Sequence, residues 1–468
     1  MENEMKTGIA ILGGGPGGYT AAFRAADLGL EVCLIEQGGR LGGVCLNVGC
    51  IPSKTLLHAA AVIEEAGAAS EFGVQFGAPR IDVEALRSHK ARIVTQLTNG
   101  LDSLCKARKI TRLTGHGAFI DQQHLLVSGT DGATRVSFTD TIIATGSHPF
   151  VLSGCPDDPR IWDSTDALAL HTVPRRLLII GGGIIGLEMA QVYSALGSEI
   201  TVVEMQPQII PSADRDVVQP LFLKLKKAYR ICTETKVAGM TAGAAGIEVV
   251  LAGKTAATEF FDAVLVAVGR RPNTQGFGLE QTGLTLDERG FLAVNELQQT
   301  ALPHFYAIGD VVGEPMLAHK ASHQGKVAAE VIAGHKTAFM PMAIPSVAYT
   351  SPEVAWMGLT EKAAQQQGVA YTKGKFPWGA SGRALSAGAG NGVSKVLFDP
   401  ATGRILGAGI CGQNAGELIH EAVLALEMGA TAEDISRTVH AHPTLAETFA
   451  FAAEMVHGSI TDLLPPKK

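Results

Sequence analysis

The sequence predicts an α/β fold with two separate Rossmann-like units. Three observations predict it. A strand, a glycine turn, a helix and a second strand ending in a glutamate surround Gly13-x-Gly15-x-x-Gly18. The same pattern returns around Gly181-x-Gly183-x-x-Gly186, and Gly18 stands to Glu36 as Gly186 stands to Glu204. The chain has 468 residues, 46% of them hydrophobic and 55 of them glycine, which exceeds one ordinary core and suits many tight strand–helix turns.

Each element has a local reason. Residues 8–12 are a short apolar run and read as a buried strand. Residues 19–28 read as a helix and 31–35 as the next strand, ending at Glu36. The glycines permit the tight turn, close approach to a pyrophosphate and helix–strand packing. The helix N-terminus offers N–H groups and roughly half a positive charge to phosphate. Glu36 can accept both hydroxyls of an adenosine ribose. In the second unit the strand is 177–180, the helix 187–196 and the next strand 199–203, ending at Glu204. Two units imply two dinucleotides. No Lys or Arg lies between Glu204 and Arg215, and a carboxylate there repels a 2′-phosphate, so NAD is favoured over NADP.

The first unit is interrupted. Residues 141–146 form a buried strand ending in a glycine turn, and 264–269 with Arg270-Arg271-Pro272 resemble it. Residues 305–310 form another strand ending in an acid. Asp310, at a strand's carboxyl end, is placed to bind a ligand in the sheet crevice. The bland alternative is an N-cap for a helix from Val311 onward, and the two roles are compatible.

Cys45 and Cys50 lie between Gly42 and Lys54, just past the first fingerprint. Residues five apart in a regular helix are separated by about 7.5 Å along its axis, beyond the roughly 7 Å that a disulfide tolerates. If the two bond, the helix between them must be broken, and Gly49 gives the backbone room. Pro52 suits a first helical turn, so Cys50 is read near the N-terminus of a helix continuing over 53–61. That position favours a thiolate. The bland alternative is two buried thiols. Lys54, one turn after Cys50, could stabilise negative charge nearby, with Glu188 as its candidate partner. Near the C-terminus, His442 is poised for proton transfer near neutral pH, and Glu447 can hold its second ring nitrogen. His440, His319 and His58 are read as structural or backbone-contact positions.

Other classes are excluded or disfavoured. Seven scattered cysteines do not make a secreted disulfide framework. Cys33 is read as a small buried hydrophobe, and Cys105, Cys155, Cys232 and Cys411 as thiols without a role. No second Cys or His pair completes a zinc site, and no metal is expected. The net charge of −7 is spread along the chain, the 465–468 tail is too short for a basic surface, and no nucleic-acid contact is expected. No apolar run is read as reaching the ~18 residues of a membrane span. The polar N-terminus lacks a signal-peptide pattern, so a reducing cytoplasm is expected.

Taken with these residues, the chain resembles the pyridine nucleotide–disulfide oxidoreductases. The likeness covers essentially the whole chain through residues 13–18, 42–54, 144–146, 181–188, 268–272, 307–310, 316–320 and 440–447, in family order. It implies a FAD-binding domain over 1–150 and an NAD-binding domain over 151–274. It further implies a segment 275–344 completing the FAD site and a C-terminal α+β dimerisation domain over 345–468. FAD would lie on Gly13, Gly15, Gly18, Glu36, Gly117, Thr145, Gly146 and Asp310. Leu317, Ala318 and His319 would pass the flavin largely through backbone, and Lys54, paired with Glu188, would lie close to the ring. NAD would lie on Gly181, Gly183, Gly186, Glu188, Glu204 and Gly269. Cys45 and Cys50 would form the redox disulfide, Cys50 nearer the flavin and Cys45 meeting substrate. His442 and Glu447 would be the acid–base dyad, reaching the site from the other subunit of an obligate homodimer.

The implied reaction is oxidation of protein-bound dihydrolipoamide by NAD⁺. Implied partners are the lipoyl domain and acyltransferase core of a 2-oxoacid dehydrogenase complex, or the glycine cleavage H protein. Rivals are a reductase of small disulfides and a non-catalytic flavoprotein scaffold. Glutathione reductases resemble the chain but usually carry Arg where Glu204-Met205-Gln206 stands. Mercuric reductases carry a C-terminal cysteine pair, whereas the last cysteine here is Cys411. No fused N-terminal lipoyl domain is expected, since the first strand leads directly to Gly13, and Ala446 stands where Ser is common.

Overall fold

The computed structural model describes residues 3–130 and 132–464; the 465–468 tail lies outside them. The chain divides into two compact units. One comprises Met1–Thr55, Asp82–Phe150 and Gly269–Met340, the other Leu56–Ile81, Val151–Val268 and Pro341–Lys468.

The first unit is built on a parallel sheet of β1 (Asn3–Leu12), β2 (Val32–Glu36) and β3 (Thr111–Thr114). β1 lies between β2 and the long strand Gly132–Ile143, parallel to both, and Phe305–Ala307 adds beyond that strand. Side chains alternate along β1, so both faces need apolar cover. Ile9 and Ile11 pack with Ala21, Ala22, Val32 and Leu34. Ala10 and Leu12 pack with Cys33, Ile35, Phe119 and Phe138. The strands His116–Phe119 and His124–Gly129 extend the sheet antiparallel from Gly132–Ile143.

Helix α1 (Pro16–Asp27) starts ahead of the expected residue 19, because Pro16 is pre-set for the first turn. It lies close against the helix Ala318–Ile332. A Cβ on Gly325 would stand 2.6 Å from the Gly17 carbonyl oxygen, so the contact requires glycine. Helices α2 (Gly43–Val48) and α3 (Cys50–Ala68) follow. The stretch Gly43–Phe72 passes the length and composition test for a membrane span, which the sequence reading did not give. It is broken at Gly49 and carries Asn47, Lys54, His58 and a Glu64 carboxylate 2.8 Å from Lys224 Nζ, which does not fit a lipid-facing helix.

In the second unit the parallel order is Arg230–Cys232, Glu199–Val203, Arg176–Ile180, Ala263–Val266, Ile161–Trp162. The strand Glu199–Val203 has the bounds read from sequence, while the helix Ile184–Ala195 starts directly after Gly183. A three-stranded antiparallel sheet, Thr235–Gly243, Gly246–Gly253 and Ala257–Phe261, closes one cluster through Ile247, Val249 and Phe261.

The rest of this unit is α+β. Five antiparallel strands run in the order Ser346–Ala348, Glu353–Gly358, Ile405–Gly412, Val393–Phe398, Thr372–Pro377. Their core includes Phe376, Trp378, Phe398, Ile419 and Phe449. One buried charge stands out: Lys395, with a side chain 2% exposed, places Nζ 2.7 Å from Asp214, 2.6 Å from Asp216 and 2.8 Å from Glu361. These carboxylates are close enough together to hold a metal ion, but the ammonium sits among them.

Candidate active site

The two glycine turns are near copies. Gly13 has φ +109° and Gly181 +108°, a left-handed backbone that suits glycine. A Cβ on Gly13 would stand 2.3 Å from the Ala144 carbonyl oxygen, and one on Gly181 2.4 Å from that of Ala267. A Cβ on Gly18 would meet the Gly13 oxygen at 1.8 Å, and one on Gly186 the Gly181 oxygen at 2.2 Å. Gly15 and Gly183 are the N-caps of the following helices, in extended conformation and without a side chain between the helix end and a phosphate.

The acids close each turn in the same way. Gly14 N–H donates to Glu36 Oε2 at 2.8 Å and Gly38 N–H to Oε1 at 2.8 Å. Gly182 N–H donates to Glu204 Oε2 at 2.8 Å and Gln206 N–H to Oε1 at 2.7 Å. A carboxylate oxygen has more than one acceptor site, so each glutamate holds its own loop and still has room for a ribose hydroxyl.

The cysteine segment breaks at Gly49, as the spacing requires for a bond. Gly49 separates α2 from α3 with φ −140° and ψ −115°, and a Cβ there would stand 2.8 Å from the Val44 oxygen. Cys50 is the first residue of α3, and Ser53 N–H donates to the Gly49 carbonyl at 2.9 Å. Both cysteines stand as thiols in this structure, Cys45 half-buried and Cys50 exposed. They hydrogen-bond to each other. That bond, then burial, holds Cys45 well above the ordinary thiol range, with the Lys54 charge pulling the other way. Burial pushes the Tyr19 hydroxyl up, and the charge of the two cysteines adds to it. The sequence reading saw Tyr19 only as a helix residue. Burial pushes Cys33 and Cys411 up to about 12, which disfavours the thiolate at both.

Two side-chain networks hold the remaining polar positions of the first unit, one at Asp310 and one at Thr145. Asp310 does not cap a helix: Ile308 is the N-cap of the turn Gly309–Val312, and no side chain caps it. Instead Ser147 Oγ donates to Asp310 Oδ2 at 2.5 Å, and Arg270 Nε donates to Ser147 Oγ at 2.7 Å. Thr145 Oγ1 donates to the Asn273 carbonyl at 2.6 Å, and Asn273 Nδ2 returns to the Thr145 carbonyl at 2.9 Å. Gly146 and Gly269 have φ +72° and +137°. Leu317 is the N-cap of Ala318–Ile332, so Ala318 and His319 are its first turn, whose N–H groups point out of the helix end. Gly117 has a packing reason to lack a side chain, since a Cβ would stand 2.6 Å from Leu12 Cδ1. Glu188 is 3% exposed in the second unit, and its Oε1 accepts Tyr349 N–H at 3.1 Å.

Two features fit a bound flavin dinucleotide at the first turn. Asn47 Oδ1 is buried with no hydrogen-bond partner, although its amide nitrogen reaches the carbonyls of Leu41 and Gly43. Gly43 lies so near Gly15 that a Cβ would stand 2.7 Å from the Gly15 Cα. An orphaned acceptor beside a glycine-lined turn suits a polar ligand held by backbone. Asn47 and Ser147 were missed from sequence, although Asn47 lies between the cysteines and Ser147 directly follows Gly146.

In the second unit, His442 Nδ1 lies 2.8 Å from Glu447 Oε1, and Thr444 N–H donates to Glu447 Oε2 at 2.7 Å. The imidazole is 81% exposed and the carboxylate 12%. His440 makes a second pair: Nε2 lies 2.6 Å from Glu421 Oε1, and Nδ1 2.8 Å from the Thr438 carbonyl.

Residues 7–325 match the family described as pyridine nucleotide-disulphide oxidoreductase, and residues 344–453 match its dimerisation domain. A dihydrolipoyl dehydrogenase of Vibrio parahaemolyticus is 52% identical over 471 residues, 100% of this chain and 99% of that protein. One of Haemophilus influenzae is 53% identical over 466 residues, covering 99% and 98%. The crystal structure of LpdA from Mycobacterium tuberculosis superposes with a TM-score of 0.88 at 25% identity, over 97% of this chain and 99% of that one. The HOCl-induced flavoprotein disulfide reductase RclA of Escherichia coli gives 0.85 at 27% identity, over 96% and 100%. With twin glycine turns and a dithiol set on a broken helix, the chain belongs to the pyridine nucleotide–disulphide oxidoreductase family.

Proposed function

We propose that the protein oxidises dihydrolipoamide to lipoamide and reduces NAD⁺ to NADH, through a Cys45–Cys50 dithiol/disulfide couple and FAD. The observation that carries this reading is the cysteine pair on the helix break at Gly49, with Lys54 close enough to act on it, in a chain that has two acid-closed dinucleotide turns. The Vibrio and Haemophilus relatives, half identical over their full length, are named for this reaction.

The first turn, with Glu36, Asp310 and the first turn of Ala318–Ile332, would hold FAD, and the second, with Glu204, would hold NAD. FAD bound there would supply two-electron chemistry between the dithiol and NAD⁺, the pair leaving as hydride together with one proton taken up from the dithiol side. His442 removes a proton from a substrate thiol, and Glu447 fixes the ring so that Nε2 faces outward. The substrate thiolate attacks Cys45 of the oxidised pair; the Cys45–Cys50 bond breaks and Cys50 leaves as thiolate. The second substrate thiol then displaces Cys45, closing lipoamide. Lys54 stabilises the negative charge left on the dithiol side.

An imidazole 81% exposed in one chain suits a residue that works on a second copy, so the active form is a homodimer made through the C-terminal domain. The partners are the lipoyl domain and acyltransferase core of a 2-oxoacid dehydrogenase complex, or the glycine cleavage H protein, and the setting is a reducing cytoplasm. The test is the initial rate of NADH formation from dihydrolipoamide, with NAD⁺ and NADP⁺ in parallel. Turnover with NAD⁺ alone is expected. A FAD-loaded enzyme that turns over neither would overturn the reading in favour of a reductase of small disulfides.

A further inference from the structure

Leading to the loop between His442 and Glu447 is a chain of hydrogen bonds buried in the C-terminal core. Trp378, Ser394 and Thr448 are each 0% exposed, among Phe376, Phe398 and Phe449. Trp378 Nε1 lies 3.0 Å from Ser394 Oγ, Ser394 Oγ 2.8 Å from Thr448 Oγ1, and Thr448 Oγ1 2.7 Å from the Leu445 carbonyl. Every proton in it is determined. Indole N–H can only donate and a carbonyl can only accept. Thr448 therefore spends its hydroxyl proton on Leu445, and Ser394 must donate to Thr448. The relay runs one way, from the indole to a carbonyl in the loop between His442 and Glu447.

The surrounding backbone leaves the relay little slack. A Cβ on Gly412 would stand 2.2 Å from the Trp378 ring, and one on Gly392 2.6 Å from it, so the indole is wedged in place. A Cβ on Gly374 would stand 1.7 Å from the Ala452 carbonyl oxygen, so the helix Glu447–His457 rests directly on its strand. Close approach and the buried Phe449, Ala452 and Ala453 set how the body of that helix lies. Its first turn, where Glu447 meets His442 Nδ1, is where Thr448 bonds back to the Leu445 carbonyl. A hydroxyl in an apolar core is unfavourable unless every member is satisfied, and a satisfied network specifies one geometry.

We propose that Thr448, held by Ser394 and Trp378, is a positioning residue for the His442–Glu447 dyad: it pins the Leu445 carbonyl and the helix start so that Glu447 faces the imidazole. This rests on the dyad being the acid–base pair of dithiol oxidation. The step it serves is proton removal from a substrate thiol, so reduction of an artificial dye by NADH through FAD does not depend on it.

The test compares Thr448→Val, Thr448→Ser and Ser394→Ala with His442→Gln in the FAD-loaded dimer. The readouts are kcat for dihydrolipoamide oxidation across pH and the rate of dye reduction by NADH. The expected result is about a tenfold loss of kcat in Thr448→Val, a smaller part than full loss of acid–base catalysis. Its pH–rate profile should move, its dye reduction should stay at the parent rate, Thr448→Ser should restore kcat, and Ser394→Ala should share the defect. Thr448→Val with parent kcat and profile, while His442→Gln is crippled, would overturn the positioning role alone. Equal loss of dithiol and dye activity in Thr448→Val would also overturn it, since that marks general damage. A fully active His442→Gln would remove the dyad reading and the proposal with it.

Discussion

His442 Nδ1 lies 2.8 Å from Glu447 Oε1, and the second oxygen of that carboxylate is occupied by Thr444 N–H at 2.7 Å. The base is thus oriented by a group that is itself fixed by the helix start. A glutamine at 447 keeps the shape but cannot offer two anionic acceptors. Glu447→Gln is expected to lower kcat for dihydrolipoamide oxidation by about 100-fold, the low end for acid–base catalysis. Steady-state kinetics at saturating NAD⁺ checks it; a loss under twofold would show that His442 needs no orienter.

Glu36 and Glu204 each hold two backbone N–H groups of their own loops, so they are structural before they are ligands. Glu204→Gln is expected to lower kcat/KM for NAD⁺ by about tenfold, or about 1.4 kcal/mol, without making NADP⁺ the better substrate, because no Lys or Arg follows Glu204 in the chain before Arg215 to pair a 2′-phosphate. Glu36→Gln should leave NAD⁺ kinetics intact and release FAD on dilution. Parallel kinetics and flavin fluorescence distinguish the two. A Glu204→Gln enzyme that prefers NADP⁺ would count against repulsion plus missing cations as the basis of choice.

Cys45 stands as a thiol hydrogen-bonded to Cys50 and half-buried. In the proposed scheme it is the sulfur that substrate meets. Cys45→Ser is expected to abolish dithiol turnover while retaining FAD, because none of the glycine-turn contacts involves it. Absorbance of bound flavin and the rate with dihydrolipoamide are the readouts; normal turnover would remove Cys45 from the scheme.

The parts of this molecule that were legible in the sequence are those set by local rules. Gly13 and Gly181 reveal themselves because a positive φ beside a carbonyl leaves only glycine, and Glu199–Val203 because a buried parallel strand is a continuous apolar run. The break at Gly49 was expected only if Cys45 and Cys50 bond; the structure shows it with both as thiols. What stayed hidden depends on long-range partners. Asp310 was open to a helix-cap reading beside the ligand one; Ile308 takes the N-cap position, and the Asp310 carboxylate is held by Ser147, distant in sequence. Lys395 and its three carboxylates come from strands and helices far apart in the chain, and no spacing announces them.

His440 is a charged residue by its geometry. Its Nδ1 faces a carbonyl and its Nε2 a carboxylate, both pure acceptors, so both nitrogens carry protons. The Glu421 hydrogen bond raises its pKa against the effect of burial, and the Glu447 charge adds to it. A raised histidine stabilises the fold fully below its unfolded pKa, about 6.5, and that stability is lost as pH rises through the folded value. Glu421→Gln is therefore expected to lower the Tm more at pH 6 than at pH 9. An equal deficit at both would mean that the pair acts through packing alone.

Among the described residues Lys395 alone reaches all three of Asp214, Asp216 and Glu361; Lys375 reaches Asp216 and Lys373 reaches Glu361 from half-exposed positions. Burial favours the neutral form of each buried group. For Asp216 and Glu361 it is outweighed by the lysine hydrogen bonds, which leave both pKa values depressed. Lys395→Met removes the ammonium and leaves three close carboxylates, which should cost about 3–5 kcal/mol, the usual loss when one partner of a buried pair is deleted. The sign with pH follows. Depressed carboxylates stabilise the parent above their unfolded pKa, about 4, and that stability falls away as acid protonates them. In the variant, protonation instead relieves repulsion among the three. The Tm gap between parent and Lys395→Met should therefore be wide at pH 7 and narrow as pH falls toward 4. Parallel Tm curves over that range would mean that the cluster stabilises the fold by packing and not by charge.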